Sequence, residues 1–343
     1  MPLQTFTCGR RDLTARARLA EIAAEMGQQM SSAALIAVDW GTSNMRARLI
    51  DAAGNVLAEA ASEDGIARVA AGGHEAAFER LVGDWPQVPA IMAGMIGSRQ
   101  GWREADYLPC PAAVGDLAAS VLRFETGNGR PVAIIPGMMV RSAARDGDVM
   151  RGEETQIVGL IDGEPGFAGV AILPGTHSKW VSVSGTTVND FQTFLTGEVF
   201  ELLSQKSFLR HSVAAGGGEP DSPDFALAVR RTVDEGLPFL SAIFSVRVRA
   251  LLDGADPTAN LAYLSGLVIG GEIAAARTAG RFNDATQLRI VGSQSLGRAY
   301  ARAFALLGIQ TVALDGNALA LAGLLHIART IGLLPASVPG HVS

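Results

Sequence analysis

Residues 35–60 read LIAVDWGTSNMRARLIDAAGNVLAEA. Leu35, Ile36, Ala37 and Val38 make an apolar run that ends at Asp39, and Gly41, Thr42 and Ser43 reverse the chain before the alternating segment 45–50. This is the pattern of a β-hairpin with a polar tip. The turn signal DAAGN at 51–55 leads into a third strand over 56–61. Glycine lets backbone approach a ligand closely, and hydroxyls with successive N–H groups at such a tip can cradle phosphate oxygens. An acid at the strand end, here Asp39, suits a hydrated Mg²⁺. A tight hairpin with a solvated aspartate fits the same residues, and for one turn alone it is the simpler account.

The pattern occurs twice. An apolar strand at 170–173 is followed by Pro174-Gly175-Thr176-His177-Ser178-Lys179, an alternating segment at 180–183 and a third strand over 185–195. Gly175-Thr176-His177 falls where the first copy has Gly41-Thr42-Ser43. Two glycine-threonine hairpins, each opening a three-stranded meander and each followed by helix and strand, predict a duplicated α/β architecture with two phosphate loops.

Composition bounds what such a protein does. The 343 residues suffice for two domains with separate cores. A net charge of −6 and the absence of a Lys/Arg run argue against a polyanion-binding surface, so nucleic acid is not an expected partner. Cys8 and Cys110 are the only cysteines, too few for a disulfide framework or a zinc site, which points to a reducing compartment. The longest apolar stretch, around 261–271, is broken by Ser265 and glycines, and the N-terminus has no signal-like apolar core. A cytoplasmic protein with no membrane partner is the expectation. Residues 1–32 stand apart as an appended helix or as an over-long start with Met30 as the true start.

Further candidates lie between the two copies. A helix is predicted over 74–82 and a strand over 88–93, ending in the loop GMIGSRQGW at 94–102. Its glycines hold Ser98, Arg99 and Trp102 at a strand end, where ligands sit in open α/β sheets. The planar fork of Arg99 suits a carboxylate, although a plain loop with a half-buried tryptophan accounts for the same residues. After a strand at 132–136, the densest charge cluster reads RDGDVMRGEETQ at 145–156, with a helix beginning near Gly152. Complementing the helix dipole explains Glu153 and Glu154. It does not explain Asp148 and Arg151, which precede the cap. Asp148 is a carboxylate of the kind that orients a hydroxyl for attack.

Helices are expected over 196–204, opened by a threonine cap, and over 225–233, 238–252 and 257–278. A strand at 288–291, the turn Gly292-Ser293-Gln294-Ser295, a helix over 296–307, a strand at 310–313 and a helix over 316–331 complete the chain. The Gly292-Ser293 turn can admit a nucleoside against backbone. Neither a Gly-x-x-x-x-Gly-Lys-[Ser/Thr] loop nor a Gly-x-Gly-x-x-Gly helix start is present.

Asp39-Trp40-Gly41-Thr42-Ser43 with Arg46, the Gly175-Thr176 loop and the Gly292-Ser293 turn resemble the phosphate-1, phosphate-2 and adenosine elements of the actin, hexokinase and Hsp70 superfamily. More narrowly, GMIGSRQGW at 94–102, DVMRGEETQ at 148–156, LPGTHSKWV at 173–181 and TFLTGEVFELL at 193–203 resemble the 2-dehydro-3-deoxygalactonokinase family, in order over residues 33–335. The resemblance implies a two-lobed, actin-like (ribonuclease H-like) α/β fold with a central cleft, an N-terminal lobe over 33–165 and a C-terminal lobe over 166–343, its last helix packing back across the cleft. It also implies transfer of the γ-phosphoryl group of ATP, with Mg²⁺, to the 6-hydroxyl of 2-dehydro-3-deoxy-D-galactonate in galactonate breakdown.

By position in the matched motifs, Asp148 is the base that orients the hydroxyl, with Arg151 or Glu153 its rival. Gly41, Thr42, Ser43, Gly175 and Thr176 contact phosphates, and Asp39 holds the metal through water. Arg46 or Lys179 neutralises charge, against the alternative of a solvated strand lysine. Gly292 and Ser293 take the adenosine, and Ser98, Arg99 and Trp102 the substrate, with Arg99 on its carboxylate. Pro174 stands where the superfamily's second phosphate loop often has an acid, so the resemblance supplies no metal ligand from that lobe. A kinase for a related sugar or sugar acid, and an actin-like or chaperone-like ATPase switch, are the alternatives. The C4 epimer of the acid is not distinguished, and a homodimer is the expected form of self-association.

Overall fold

The structure is a computed structural model that describes residues 31–141 and 146–336. The expected N-terminal helix lies, for residues 1–30, outside the described residues, as do Cys8 and Arg145. In chain order the strands are β1 Ala33–Trp40, β2 Met45–Asp51, β3 Val56–Ser62, β4 Ala90–Gly94, β5 Tyr107–Pro109, β6 Ala112–Ala113, β7 Leu122–Glu125 and β8 Pro131–Ile134. They continue with β9 Gly137–Val140, β10 Asp148–Met150, β11 Ala168–Leu173, β12 Ser178–Ser184, β13 Thr187–Phe194, β14 Leu288–Gly292 and β15 Val312–Asp315. The helices are α1 His74–Val82, α2 Val114–Ala119, α3 Glu153–Gly163, α4 Thr196–Glu201, α5 Pro223–Val233, α6 Phe239–Leu252, α7 Pro257–Thr278, α8 Gln294–Leu306 and α9 Gly316–Thr330.

The chain divides into two compact units. The first contains the residues up to Ala105, Val121–Ile135 and the stretch from Ile327; the second contains Asp106–Ser120 and Pro136–His326. The division falls at Ile135 and again inside α9, not at the expected 165/166. The reason lies in pairing. Two stretches bond to elements of the second unit: 106–120, whose β5 pairs with β9 and whose β6 adds an edge to β13, and the segment between β8 and β11, whose β9 and β10 complete the small sheet.

Each unit contains the same five-stranded pattern. In the first the sheet order is β3-β2-β1-β4-β8-β7, and in the second it is β15-β14-β11-β12-β13-β6. In both, three consecutive strands form an antiparallel meander, and its first strand is flanked on the other side by two parallel strands. This duplicated ribonuclease H-like order is the actin-like α/β architecture. The first strand of each meander is central and covered on both faces, which is why 35–38 and 170–173 read as unbroken apolar runs and do not alternate. The first unit's core gathers Ile36, Val38, Trp40, Phe78, Met92 and Ile134. The second has one cluster around Trp180, Ile172, Ile290 and Phe304 and another around Leu264, Tyr263 and Val246.

Helix α7 is, among the described residues, the one helix long and apolar enough to cross a membrane, and 72% of that apolar window is buried inside the fold. It is a core helix. A Cβ at its Gly266 would stand 2.5 Å from Phe225 O and one at Gly270 2.1 Å from Thr232 Oγ1, so these glycines let α5 and α7 pack backbone to backbone. Asp256 caps it by accepting from Thr258 N at 2.9 Å and Ala259 N at 3.1 Å.

Candidate active site

In the first unit, antiparallel pairing sets Asp39 opposite Arg46 beside the tip, and parallel pairing sets Trp40 beside Gly94. Thr42 and Ser43 are exposed at the tip, while Trp40 and Met45, the last and first residues of the strands that flank it, are buried. The tip is held from behind by main chain: Ile66 N donates to Gly41 O at 3.1 Å and Ala67 N to Thr42 O at 3.0 Å. Gly65 makes this approach feasible, since a Cβ there would lie 2.2 Å from Ser43 C and 2.3 Å from Thr42 O. Trp40 Nε1 donates to Asp64 O at 2.7 Å and fixes the same segment. Burial raises the Asp39 carboxyl above the usual carboxylate range, against the opposing charges of Arg46 and Arg48. Among the described residues no group of three or more His, Cys, Asp or Glu side chains is placed to hold a metal ion. A lone strand-end carboxylate fits a magnesium ion carried in on nucleotide phosphates and reached through water, and it does not form an all-protein cage.

The 94–102 loop leaves β4 directly beside Asp39. Gly94 has φ +95°, and a Cβ on it would stand 2.7 Å from Trp40 O and 3.5 Å from Asp39 Oδ1. Ser98 is buried, and its Oγ has no hydrogen-bond partner among the described residues. Arg99 is 83% exposed and 3.6 Å from Glu104 Oε1. Trp102 differs from expectation. Its ring packs edge-on against Phe124 at 5.1 Å and tilted against Phe78 at 6.1 Å, so its apolar surface serves the first unit's core.

In the second unit Thr176 and His177 are the exposed tip residues, flanked by buried Pro174 and Ser178. Glu198 N donates to Thr176 O at 3.0 Å, and a Cβ on Gly197 would lie 2.3 Å from Gly175 O. The brace of the first tip is thus repeated. Gly65 lies three residues past the end of β3, and Gly197 three past the end of β13. His177 Nε2 lies 2.7 Å from Glu198 Oε2. A Cβ on Gly292 would lie 3.6 Å from Pro174 O, which puts the Gly292-Ser293 turn beside this tip. The parallel strands β11, β14 and β15 therefore deliver Pro174, Gly292 and Asp315 to one edge, the carboxyl ends where α/β sheets bind ligands.

The 148–156 cluster joins this edge. Asp148 lies on β10, where no strand was expected. Its Oδ1 accepts from Thr193 Oγ1 at 2.7 Å and from Val149 N at 2.7 Å, and its Oδ2 accepts from Thr193 N at 2.6 Å. Thr193 pairs across the ladder with Lys179. Lys179 is buried, its Nζ 3.5 Å from Glu153 Oε1, so the solvated alternative for this lysine is wrong. Arg151 lies over the Tyr107 ring at 4.3 Å. Thus Asp148, Arg151, Glu153, Lys179, Gly175, Thr176 and Gly292 belong to one unit and one edge, while Asp39, Arg46, the first tip and the 94–102 loop belong to the other. Thr193 and Tyr107 were missed by sequence reasoning. Thr193 lies inside a quoted motif, but only the strand pairing shows what its hydroxyl does.

Two expectations about caps change. Thr196 spends its hydroxyl on the buried Glu272 and does not cap α4. At α3 the acids divide: Glu153 faces Lys179, whereas Glu154 is buried, its Oε2 accepting from Gly152 N at 2.6 Å and its Oε1 unpartnered among the described residues. Burial, reinforced by the Glu153 charge, pushes the Glu154 carboxyl from its ordinary 4.5 up to about 8. Between those values the folded protein keeps a proton that the unfolded chain has released. The stability from this group is full below pH 4.5 and is lost as pH rises through 8, at about 1.4 kcal/mol per pH unit. Glu154→Gln removes that slope. Urea midpoints measured near pH 5 and pH 8 are expected to converge in the variant, and an unchanged difference would contradict this account.

A duplicated ribonuclease H-like fold with a braced glycine-threonine tip in each copy defines an actin-like phosphoryl-transfer protein. The model of the 2-keto-3-deoxy-galactonokinase family matches residues 39–327. The chain is 35% identical over 306 residues to the 2-dehydro-3-deoxygalactonokinase of Escherichia coli (strain K12), covering 88% of this chain and 99% of that protein. It is 38% identical over 299 residues to a Rhizobium meliloti (strain 1021) protein named "Probable 2-dehydro-3-deoxygalactonokinase DgoK1", covering 86% and 96%. A crystal structure of a Sinorhizobium meliloti protein assigned the same activity superposes with a TM-score of 0.82 at 37% identity, covering 87% of this chain and 99% of that one. The chain belongs to the 2-keto-3-deoxy-galactonokinase family, and it is a kinase.

Proposed function

We propose that the chain transfers the γ-phosphoryl group of ATP to the 6-hydroxyl of 2-dehydro-3-deoxy-D-galactonate, giving the 6-phosphate and ADP. The observation that carries this reading is the pair of exposed tips, Gly41-Thr42-Ser43 and Gly175-Thr176, each braced by main chain at a glycine, in a chain of this family. Preset N–H groups and hydroxyls stabilise phosphate charge without reorganising as it develops. Thr42, Ser43 and Thr176, the exposed tip residues, bind phosphate oxygens, with Arg46 and Lys179 supplying positive charge. Gly292 and Ser293 receive the adenosine. Mg²⁺, when bound, neutralises phosphate charge, and Asp39 holds it through water.

Asp148 acts on the acceptor. A carboxylate offers about four lone-pair directions, and Thr193 and Val149 fill three of them. The remaining direction, on Oδ2, accepts the substrate hydroxyl and takes its proton as the phosphoryl group departs from ADP. Glu153, engaged with Lys179, is the rival for this role. Ser98 Oγ donates to a substrate oxygen, and Arg99 exchanges Glu104 for the substrate carboxylate.

The test is acceptor-dependent ADP release across aldonic and 2-keto-3-deoxy acids. Release without any acceptor would replace the kinase reading with an ATPase switch, and preference for a neutral hexose would overturn the acid assignment. The same panel separates the galactonate-derived acid from its C4 epimer, a discrimination set by where one hydroxyl meets one polar group. Arg99→Ala is expected to raise KM for the acid roughly 10- to 100-fold, the scale of one charged hydrogen bond, with KM for ATP unchanged. An unaltered acid KM would remove Arg99 from the site.

A further inference from the structure

Glu272 lies on α7, remote in sequence from every motif read above, and it is buried. Its two oxygens accept four side-chain hydrogen bonds from three other elements. On Oε1 these come from Ser178 Oγ at 2.7 Å and Trp180 Nε1 at 2.6 Å, both on β12. On Oε2 they come from Tyr300 Oη on α8 at 2.5 Å and from Thr196 Oγ1 on α4. Glu272 and Thr196 also border a pocket of about 230 Å³ lined mainly by apolar groups such as Phe194, Val199, Phe239 and Val268. Bonds to a carboxylate in such surroundings are strong, and removing the acceptor strands every donor.

What these donors have in common is the second tip. Ser178 is the second residue past Thr176 on the strand leaving the tip. Thr196 immediately precedes Gly197, whose backbone supports Gly175 from behind. Tyr300 is on the helix that starts at the nucleoside turn, where Ser293 is the cap. One carboxylate therefore fixes the departing strand, the brace and the nucleoside-side helix to a common point. An ordinary core needs no carboxylate here, because burying one is costly unless its position matters.

We propose that Glu272 is a positioning residue for nucleotide binding: it sets the height of the Gly175-Thr176 tip against the Gly292-Ser293 turn. The proposal rests on the reading of 175–176 as a phosphate loop, and the experiment separates the two. Glu272→Gln keeps the volume but turns a donor toward two of its four partners. It is expected to lower kcat/KM for ATP roughly 10- to 100-fold, the scale of a small misplacement of binding groups, with KM for the sugar acid unchanged. ADP titration by calorimetry reports the same loss without turnover.

Asn260→Ala is the control, since Asn260 is equally buried in the same unit and bonds Ser212 O and Val246 O at 2.9 and 2.8 Å. It is expected to lower the melting temperature and leave ADP affinity intact. Should Glu272→Gln fail to fold, Ser178→Ala, which deletes one donor and keeps the carboxylate, decides by the same readouts. If Thr176→Val weakens ADP binding while Glu272→Gln or Ser178→Ala does not, the positioning role is overturned. An equal loss in Asn260→Ala overturns it as well. If Thr176→Val itself has no effect on ADP, the phosphate-loop reading fails.

Discussion

Asp148→Asn is expected to lower kcat by about 10²- to 10⁴-fold, the contribution of a positioned acid–base group, while KM for ATP stays within a few-fold of wild type. The amide keeps one oxygen for Thr193 or Val149, so the strand pairing of β10 with β9 is retained. It loses the basic oxygen whose free direction faces the acceptor. A purely bracing role for Asp148 predicts something else: Thr193→Val, which deletes the Oγ1 bond and spares the backbone bond, would then damage turnover as much as Asp148→Asn. Single-turnover rates for the two variants and for Glu153→Gln distinguish the cases. Full activity in Asp148→Asn with loss in Glu153→Gln would transfer the role to Glu153.

Gly197→Ala and Gly65→Ala are expected to cost more than their one added methyl group suggests. At Gly197 the new carbon would sit 2.3 Å from Gly175 O, and at Gly65 2.2 Å from Ser43 C. Neither neighbour is a flexible side chain, so each tip must shift bodily. Overpacking of this kind costs about 1–3 kcal/mol of stability, and displacement of a binding loop by an ångström costs about 100-fold in catalysis. The expected result is a fall of about that size in kcat/KM for ATP in both variants, with a modest fall in melting temperature. Gly175 has open space around its Cβ direction, so Gly175→Ala is the milder change. Equal, small effects at all three positions would show that the tips are not held by the main chain behind them.

The hairpins, the duplication and the long helices were legible because their signals are local: a period of two, a small-residue turn, or a long apolar run with an Asp-Pro start. Helices 74–82 and 257–278 carry the bounds expected of them. What was not legible depends on partners distant in sequence. β5, β6, β9 and β10 are two to four residues long and exist only because another strand is there to bond. No strand was expected at Asp148 for that reason. Lys179 and Glu154 look like surface charges in sequence. Burial and the Lys179–Glu153 pairing are tertiary facts. Trp102 fits the plainer of its two sequence readings, a half-buried tryptophan in a loop, with its ring against Phe124.

The twin glycines also bear on how two halves of a gene drift apart. The Gly-Thr pair is common to both tips, while the residue after it is serine in one and histidine in the other. The halves also have in common a vacancy, a missing methyl behind each turn. In sequence the kinship between residues 33–67 and 168–199 is marked by a short signal, the Gly-Thr pair. A search keyed to where a side chain is forbidden would find it.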